Sequence, residues 1–238
     1  MPAGRLYGLG IGPGDPELLT LKALRLLQAT PVVAYPVSEH GNSMARTIVA
    51  DYLTHAPIEV PMSLPFSAEH SAQPSYDRAA AVLAEHLSQG RDVVVLCEGD
   101  PFFYGTFMYL FTRLRDRFGT EVVPGVSSVM GSASVLGTPL TYRNDVFMVL
   151  PAILPAETLA TRLALADAAV IIKLGRHFPK VYTVLQQVGL LARAHYIQCA
   201  TMPEQQVLAL EQVDPAQVPY FSMIVIPSQW HTDSGLPA

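Results

Sequence analysis

Arg5-Leu6-Tyr7-Gly8-Leu9-Gly10-Ile11-Gly12-Pro13-Gly14-Asp15-Pro16-Glu17-Leu18-Leu19-Thr20-Leu21-Lys22-Ala23 lies near the start of a chain of 238 residues, and its reading decides the fold class. Arg5–Leu9 is a short apolar strand running into a turn rich in glycine. Asp15 is then placed as a helix N-cap, with Pro16 at the first helical position, where its missing N–H costs nothing. Leu18, Leu19, Leu21, Leu24, Leu26 and Leu27 give the following helix a broad apolar face. Strand, glycine turn and helix make the first half of a βαβ unit. The turn does not carry a dinucleotide fingerprint. G-x-G-x-x-G begun at Gly8 meets Pro13, and begun at Gly10 it meets Asp15. A carboxylate and an absent N–H are poor partners for a pyrophosphate at a helix N-terminus. No G-x-x-x-x-G-K-[ST] occurs either, so phosphate cradling and a dinucleotide oxidoreductase are disfavoured.

Outward from that unit the alternation continues. Pro31–Tyr35 reads as a second strand and Ser43–Leu53 as a helix. Pro74–Gln89 is a clearer helix, with Tyr76, Ala79, Ala80, Leu83 and Leu87 on one face and Gly90 closing it. Val93–Cys97 is a near-continuous apolar strand, the pattern of a parallel sheet covered on both faces. Thr106–Phe118 is a helix, Glu121–Val123 a short strand and Ser127–Leu136 a helix of small residues. Beyond Pro139 the strands are Val146–Leu150, Ala168–Lys173, His195–Cys199, Gln206–Leu210 and Tyr220–Ile226, with helices at Ala156–Leu165 and Pro179–Val188. The last strands follow one another too closely for intervening helices, so they should pair antiparallel. Two α/β domains are expected, residues 1–140 and 141–238, with a frayed tail from Gln229.

Half the residues are hydrophobic, 15% are charged and the formal net charge is −5. That excludes a disordered chain, and it excludes a nucleic-acid binder that works by counterion release. Cys97 and Cys199 sit at the ends of apolar runs and read as buried thiols rather than a disulfide. No CxxC or HxxxH occurs among the scattered histidines, so no protein-bound metal is expected. Val122–Tyr142 is a stretch of 21 residues without a charge, long enough to span a bilayer. Its Pro124, Gly125, Gly131, Gly137, Pro139 and hydroxyl side chains instead make it a loop and a small-residue helix. With no basic and apolar leader pattern at the start, a cytoplasmic protein without a membrane partner is expected.

Three Gly/Pro-rich turns each follow a strand: Gly8–Asp15, Glu98–Gly105 and Pro124–Ser128. Ligands of open parallel sheets bind beyond the carboxyl ends of the strands, so these turns mark a candidate cleft. The second turn, Cys97-Glu98-Gly99-Asp100-Pro101-Phe102-Phe103-Tyr104-Gly105, joins two carboxylates to three aromatic rings, which suits a cationic ligand with a flat portion. On the alternative reading Asp100 caps the turn and the three aromatics belong to the core.

Gly10-Ile11-Gly12-Pro13-Gly14-Asp15-Pro16-Glu17-Leu18-Leu19-Thr20-Leu21-Lys22-Ala23, Glu98-Gly99-Asp100-Pro101 and Val123-Pro124-Gly125-Val126-Ser127-Ser128, in this order and spacing, resemble the tetrapyrrole (corrin/porphyrin) methylase family over about residues 5–227. Tyr35-Pro36-Val37-Ser38, Leu96–Gly105, Lys173-Leu174-Gly175-Arg176-His177 and Tyr220-Phe221-Ser222-Met223 are similar to members that methylate precorrin-2. The resemblance implies two α/β domains with a ligand cleft between them, unlike a Rossmann-type methyltransferase, and a homodimer. It also implies methyl transfer from S-adenosylmethionine to C20 of precorrin-2, or of its cobalt form, in cobalamin biosynthesis. Carried over to matching positions, the cofactor would touch Glu98, Gly99, Asp100, Phe103, Ser127, Ser128, Leu174, Ala200 and Ser222. Pro13 would border the tetrapyrrole. Uroporphyrinogen-methylating relatives have an Asp soon after the second strand where this chain has Tyr35-Pro36, so that carboxylate cannot be carried over.

A carbon nucleophile must lose a proton after methylation, and Glu98 and Tyr35 are candidate bases on turn position. A polycarboxylate substrate meeting an acidic protein needs a local basic patch. Lys173, Arg176, His177 and Lys180 cluster near one strand end, Arg46 and Arg143 lie near others, and Arg176 is expected to face substrate. Two other readings stand beside this one: a methyltransferase of the same family acting on another carbon, or a non-catalytic S-adenosylmethionine-binding protein.

Overall fold

A computed structural model describes residues 2–38, 41–64 and 73–229; the expected frayed tail beyond Gln229 lies outside them. The chain divides into two compact units, 1–128 and 129–238, where the sequence reading divides it at 140/141.

The first unit holds strands β1 (Leu6–Gly10), β2 (Val32–Val37), β3 (Ile58–Ser63), β4 (Val93–Cys97) and β5 (Thr120–Val123), with helices α1 (Leu21–Ala29), α2 (Met44–Ile48), α3 (Gln73–Ser88) and α4 (Phe107–Leu114). The strands form one sheet in the order β3-β2-β4-β1-β5, every neighbouring pair parallel. The near-continuous apolar run of β4 follows from burial on both faces. Val93, Val95 and Cys97 point to the face covered by α3 and α4, where Leu83, Leu87, Leu110 and Leu114 are buried. Val94 and Leu96 point to the other, against Ala23, Leu26 and Leu27 of α1 and Ala45 and Ile48 of α2. Gly8 of β1 is a glycine for lack of room: a Cβ there would lie 2.5 to 2.7 Å from the ring of Phe107, which is fully buried.

Some element boundaries differ from the sequence reading. Asp15 does cap, its Oδ1 accepting from the Glu17 N–H at 2.8 Å, but what it caps is one 3-10 turn, Pro16–Leu18. Leu19 is extended, and α1 starts afresh under Thr20, whose Oγ1 accepts from the Ala23 N–H at 3.1 Å. Leu21 consequently faces water rather than joining the apolar stripe. The Ser43–Leu53 helix splits into α2 and a 3-10 turn at Ala50–Tyr52. Strand β3 was not expected. Its Ile-Glu-Val-Pro-Met-Ser sequence is mostly exposed, and Pro61 is tolerated because the strand sits at the sheet edge.

The second unit holds α5, which begins at Ser128 and runs to Leu136, then β6 (Phe147–Pro151), α6 (Ala156–Leu163), β7 (Ala168–Ile172), α7 (Phe178–Gln187), β8 (His195–Gln198), β9 (Gln206–Leu208) and β10 (Ser222–Ile226). The sheet order is β6-β7-β10-β8-β9. β6 and β7 are parallel, while β10 lies antiparallel between β7 and β8, and β9 antiparallel to β8. The antiparallel pairing of the closely spaced last strands is as expected. One face packs Ala169, Ile171, Tyr196 and Ile224 on α6 and α7; the other gathers Val170, Ile172, Ile197, Met223 and Val225 around Val129 of α5. The division at 128/129 follows from this packing, because α5 completes the second core.

Candidate functional site

In the first unit the chain steps from β1 to β2 across β4 with α1 on one face, and from β4 to β5 across β1 with α4 on the other. The loops leaving the neighbouring strands β1 and β4 therefore part to opposite faces. That is a topological switch point, where open α/β sheets bind ligands. The three turns singled out in the sequence meet there. The Gly99 N–H donates to the Gly12 carbonyl at 2.8 Å and the Ile11 N–H to the Cys97 carbonyl at 3.0 Å. Gly10, Gly99 and Gly125 touch backbone to backbone. A Cβ on Gly10 would lie 2.6 Å from Gly125 Cα and 2.7 Å from the Gly99 oxygen, and one on Gly125 would lie 2.7 Å from Gly10 Cα. Gly12 and Gly99 also hold positive φ, +81° and +66°. A Cβ on Gly99 would reach within 3.7 Å of the Ser127 Cα and the Ser128 nitrogen, so Glu98-Gly99-Asp100 and Ser127-Ser128 are brought side by side. Pro13, in the same loop cluster, is buried.

Asp100 acts within the protein. Its Oδ1 accepts from the Phe102 N–H at 2.9 Å and its Oδ2 from the Gly125 N–H at 3.1 Å, tying the β4 turn to the β5 turn. Glu98 is half-buried. Burial pushes its carboxyl above the ordinary range, opposed by two backbone N–H groups, its own and that of Ala45 in α2. The reading of Phe102, Phe103 and Tyr104 as core is overturned, since all three are exposed. Phe102 leans edge-on against Phe111, ring centroids 5.0 Å apart. Phe103 and Tyr104 form a second edge-to-face pair at 5.1 Å. Tyr104 has φ +58°, an outlier for a bulky residue of the kind that gathers at functional loops.

Tyr35, a candidate base, stands on β2 with its hydroxyl donating to Glu59 Oε2 at 2.6 Å. Arg46 of α2 grips the same carboxylate with two donors, Nε at 2.8 Å and Nη2 at 3.0 Å. Burial and Glu59 raise the Tyr35 phenol, and the Arg46 hydrogen bond holds Glu59 below its ordinary value. A phenol so placed is a poor base, because the phenolate would face Glu59. Sequence reasoning missed Glu59. Its partners lie 24 and 13 residues away, Tyr35 brought to it by the pairing of β2 with β3 and Arg46 by the placement of α2.

In the second unit Leu174, Ala200 and Ser222 come to one end of the inner strands of the sheet. Leu174 follows β7, Ala200 follows β8, and Ser222 opens the antiparallel β10, whose register sets Ser222 opposite Gln198 and Met223 opposite Ile172. The Cys199 N–H donates to the Phe221 carbonyl at 2.8 Å, and Ser222 Oγ donates to the Pro219 carbonyl at 2.6 Å. Three non-glycine residues at these strand ends have positive φ: Lys173 (+60°), Cys199 (+49°) and Thr201 (+68°). Strain persists where the surroundings over-determine it, and it clusters at ligand sites. All three expected side chains are buried. Arg176 is exposed in the 3-10 turn Gly175–His177. Burial and the neighbouring Lys180 and Arg176 lower the His177 imidazole. Lys180 donates to the Leu154 carbonyl at 2.5 Å, so it serves the fold as well as any basic patch.

Cys97 and Cys199 are free thiols. Among the described residues, no group of three His, Cys, Asp or Glu is placed to hold a metal, and no helix is long and apolar enough to cross a membrane.

The profile of the tetrapyrrole (corrin/porphyrin) methylases matches residues 5–214. The cobalamin biosynthesis protein CobIJ of Mycobacterium bovis is 43% identical over 233 residues, 94% of this chain and 46% of that protein. The chain thus spans about half the length of that relative. The precorrin-2 C(20)-methyltransferase of Sinorhizobium sp. is 39% identical over 94% of this chain and 95% of its own. Among solved structures, the uroporphyrin-III C-methyl transferase of Thermus thermophilus complexed with S-adenyl homocysteine superimposes with a TM-score of 0.67 at 27% identity, covering 94% of this chain and 92% of that one. With the turn motifs assembled at one switch point and the profile spanning both units, the chain belongs to the tetrapyrrole (corrin/porphyrin) methylase family.

Proposed function

We propose that the chain is an S-adenosylmethionine-dependent C-methyltransferase that methylates C20 of precorrin-2, or of cobalt-precorrin-2, in cobalamin biosynthesis. The observation that carries this reading is the 39% identity to a precorrin-2 C(20)-methyltransferase along nearly the whole of both chains. The residue chemistry fits the cofactor: a half-buried carboxylate, neighbouring serine hydroxyls and an exposed ring at the first unit's switch point, and buried small or apolar residues beside positive-φ backbone at the ends of the second unit's inner strands. S-adenosylmethionine supplies a methyl group already activated by its sulfonium. Glu98, Gly99, Phe103, Ser127 and Ser128 would contact it from the first unit, with Asp100 holding their turns in register. Leu174, Ala200 and Ser222 would do so from the second. Pro13 and the guanidinium of Arg176 would meet the tetrapyrrole, the latter through a carboxylate. Alignment of donor and acceptor and exclusion of water are the protein's main contribution. Of the two candidate bases this reading keeps Glu98, because the Tyr35 hydroxyl is already held by Glu59. The reading also includes a homodimer acting in the cytoplasm, with sedimentation velocity as the check on assembly.

The test is incubation with S-adenosylmethionine and enzymatically made precorrin-2, with and without cobalt, followed by mass spectrometry and NMR. One methyl added at C20 is expected, and the better acceptor identifies the pathway branch. Cofactor binding without methylation of either acceptor would discard the substrate; no cofactor binding would discard the activity.

A further inference from the structure

The turn after β4 carries three aromatic side chains in a row, and each has different surroundings. Phe102 is anchored: its ring lies against Phe107 and Phe111 of α4, centroids 6.1 and 5.0 Å away, and its N–H donates to Asp100 Oδ1. Phe103 is held differently. Its N–H donates to the Asp100 carbonyl at 3.3 Å, and among the described residues the one ring beside its own is that of Tyr104, edge-to-face at 5.1 Å and 85°. Tyr104 keeps that place with φ +58°, a left-handed conformation that is strained for a bulky residue and open to glycine. The turn closes tightly on itself at this point: a Cβ on the next residue, Gly105, would lie 2.8 Å from the Pro101 oxygen and 3.0 Å from the Asp100 oxygen. Backbone geometry alone would favour glycine at position 104. The Tyr104 ring is 43% exposed and that of Phe103 39%, so burial in a core does not account for the tyrosine either. What tyrosine adds there is a ring against Phe103.

We infer that Tyr104 is a positioning residue for Phe103: its ring, presented by a strained backbone, holds the Phe103 ring in the orientation that meets the cofactor. The inference rests on the reading of Phe103 as a cofactor contact. An exposed side chain loses rotamer freedom when it orders against a ligand, and a neighbour that holds it beforehand removes that cost from binding. The contribution is therefore to affinity for S-adenosylmethionine, and it comes from the Tyr104 ring rather than from its hydroxyl or its backbone. The strain is the part that glycine would relieve, so stability and affinity separate at this one residue.

Titration calorimetry of the full chain with S-adenosylmethionine, beside thermal unfolding, tests this. Tyr104→Ala removes the ring and keeps the strain; Tyr104→Gly removes both. Each should weaken binding by about two- to tenfold, the scale of one edge-to-face contact, while Tyr104→Gly should melt about 2–4 °C above Tyr104→Ala. Tyr104→Phe keeps the ring and should bind within about twofold of the wild type. Phe103→Leu should lose at least as much affinity as Tyr104→Ala. Tyr104→Ala combined with Phe103→Leu should lose no more than Phe103→Leu alone, because the positioning ring then has nothing to hold. Wild-type affinity in Tyr104→Ala beside a weakened Phe103→Leu would overturn the inference. Additive losses in the double variant would also overturn it, by putting Tyr104 on the ligand itself. So would a Tyr104→Phe loss equal to that of Tyr104→Ala, which would assign the effect to the hydroxyl, and equal melting of Tyr104→Ala and Tyr104→Gly would overturn the strain. Full affinity in Phe103→Leu would instead refute the Phe103 contact, and no binding by the wild-type chain would refute the functional reading. In either of those cases the inference falls with its premise.

Discussion

Replacing Gly125 by alanine adds a single methyl group at the point where three loops meet. The new Cβ would overlap the Gly99 carbonyl oxygen and lie 2.7 Å from Gly10 Cα and 2.8 Å from its carbonyl carbon. All of these neighbours are backbone, so no rotamer change can relieve the overlap and one of the loops must move. Overpacking of this kind costs about 1–3 kcal/mol. Displacement of the turn would also stretch the Asp100 Oδ2 bond to the Gly125 N–H, a charge-assisted contact worth about 1.5–3 kcal/mol. A combined loss of roughly 2.5–6 kcal/mol would lower Tm by roughly 5–24 °C for a chain of this size. Gly189→Ala is the control: φ there is +72° and nothing lies within 4 Å of the added atom, so it should cost only about 1 kcal/mol of backbone strain. Thermal unfolding followed by circular dichroism gives the stability, and titration calorimetry with S-adenosylmethionine gives the affinity. Gly125→Ala should lose at least tenfold in affinity, while Gly189→Ala keeps it. A Gly125→Ala protein as stable and as tight-binding as the wild type would refute the idea that glycine-to-glycine contact builds the site.

Glu98 has its folded pKa raised, chiefly by burial, so the native state holds this proton more firmly than the unfolded chain does. Stability from this group therefore falls as pH rises above the ordinary carboxylate range. Glu98→Gln should raise the unfolding midpoint at neutral pH, with the advantage vanishing in acid, as chemical denaturation across a pH series would reveal. Arg193 donates through Nη2 to the carbonyls of Asp167 at 2.8 Å and Pro227 at 2.7 Å. Arg193→Ala leaves both acceptors without that donor and should cost about 2–3 kcal/mol in urea unfolding, with S-adenosylmethionine affinity unchanged. Arg176→Ala should raise the KM for the tetrapyrrole by about tenfold, the value of one charged hydrogen bond, and leave that for S-adenosylmethionine alone; an unchanged tetrapyrrole KM sinks its assignment.

What the sequence makes legible depends on whether the cause is local. β4 and α3 are readable because burial on two faces writes a continuous apolar run and burial on one face writes a helical stripe; both elements lie where the pattern puts them. The start of α1 is not, because Asp15 and Thr20 are both good caps and only the extended Leu19 between them decides which one starts the long helix. β3 hides behind Glu59 and Pro61, residues admitted by an edge that no local pattern announces. At the site, the glycines point correctly to tight turns, yet their spacing cannot tell that Gly10, Gly99 and Gly125 pack on one another. The exposure of Phe102, Phe103 and Tyr104 is illegible for the same reason: an aromatic run looks alike in a core and on an exposed loop. Tyr35 reads as a reactive group in the sequence, and only the pairing of β2 with β3 brings Glu59 to its hydroxyl.

The place of β10 has a consequence for synthesis. It lies between β7 and β8, yet it is the last strand of the second sheet to leave the ribosome. Until residues 222–226 emerge, β6–β7 and β8–β9 are separate ribbons with unpaired inner edges, open to mispairing with a neighbouring nascent chain. The first unit has all five of its strands by residue 123 and can fold long before. Translation that pauses after residue 128 would leave a folded sheet attached to nothing exposed, whereas a pause between residues 208 and 222 would leave four strands waiting for their centre.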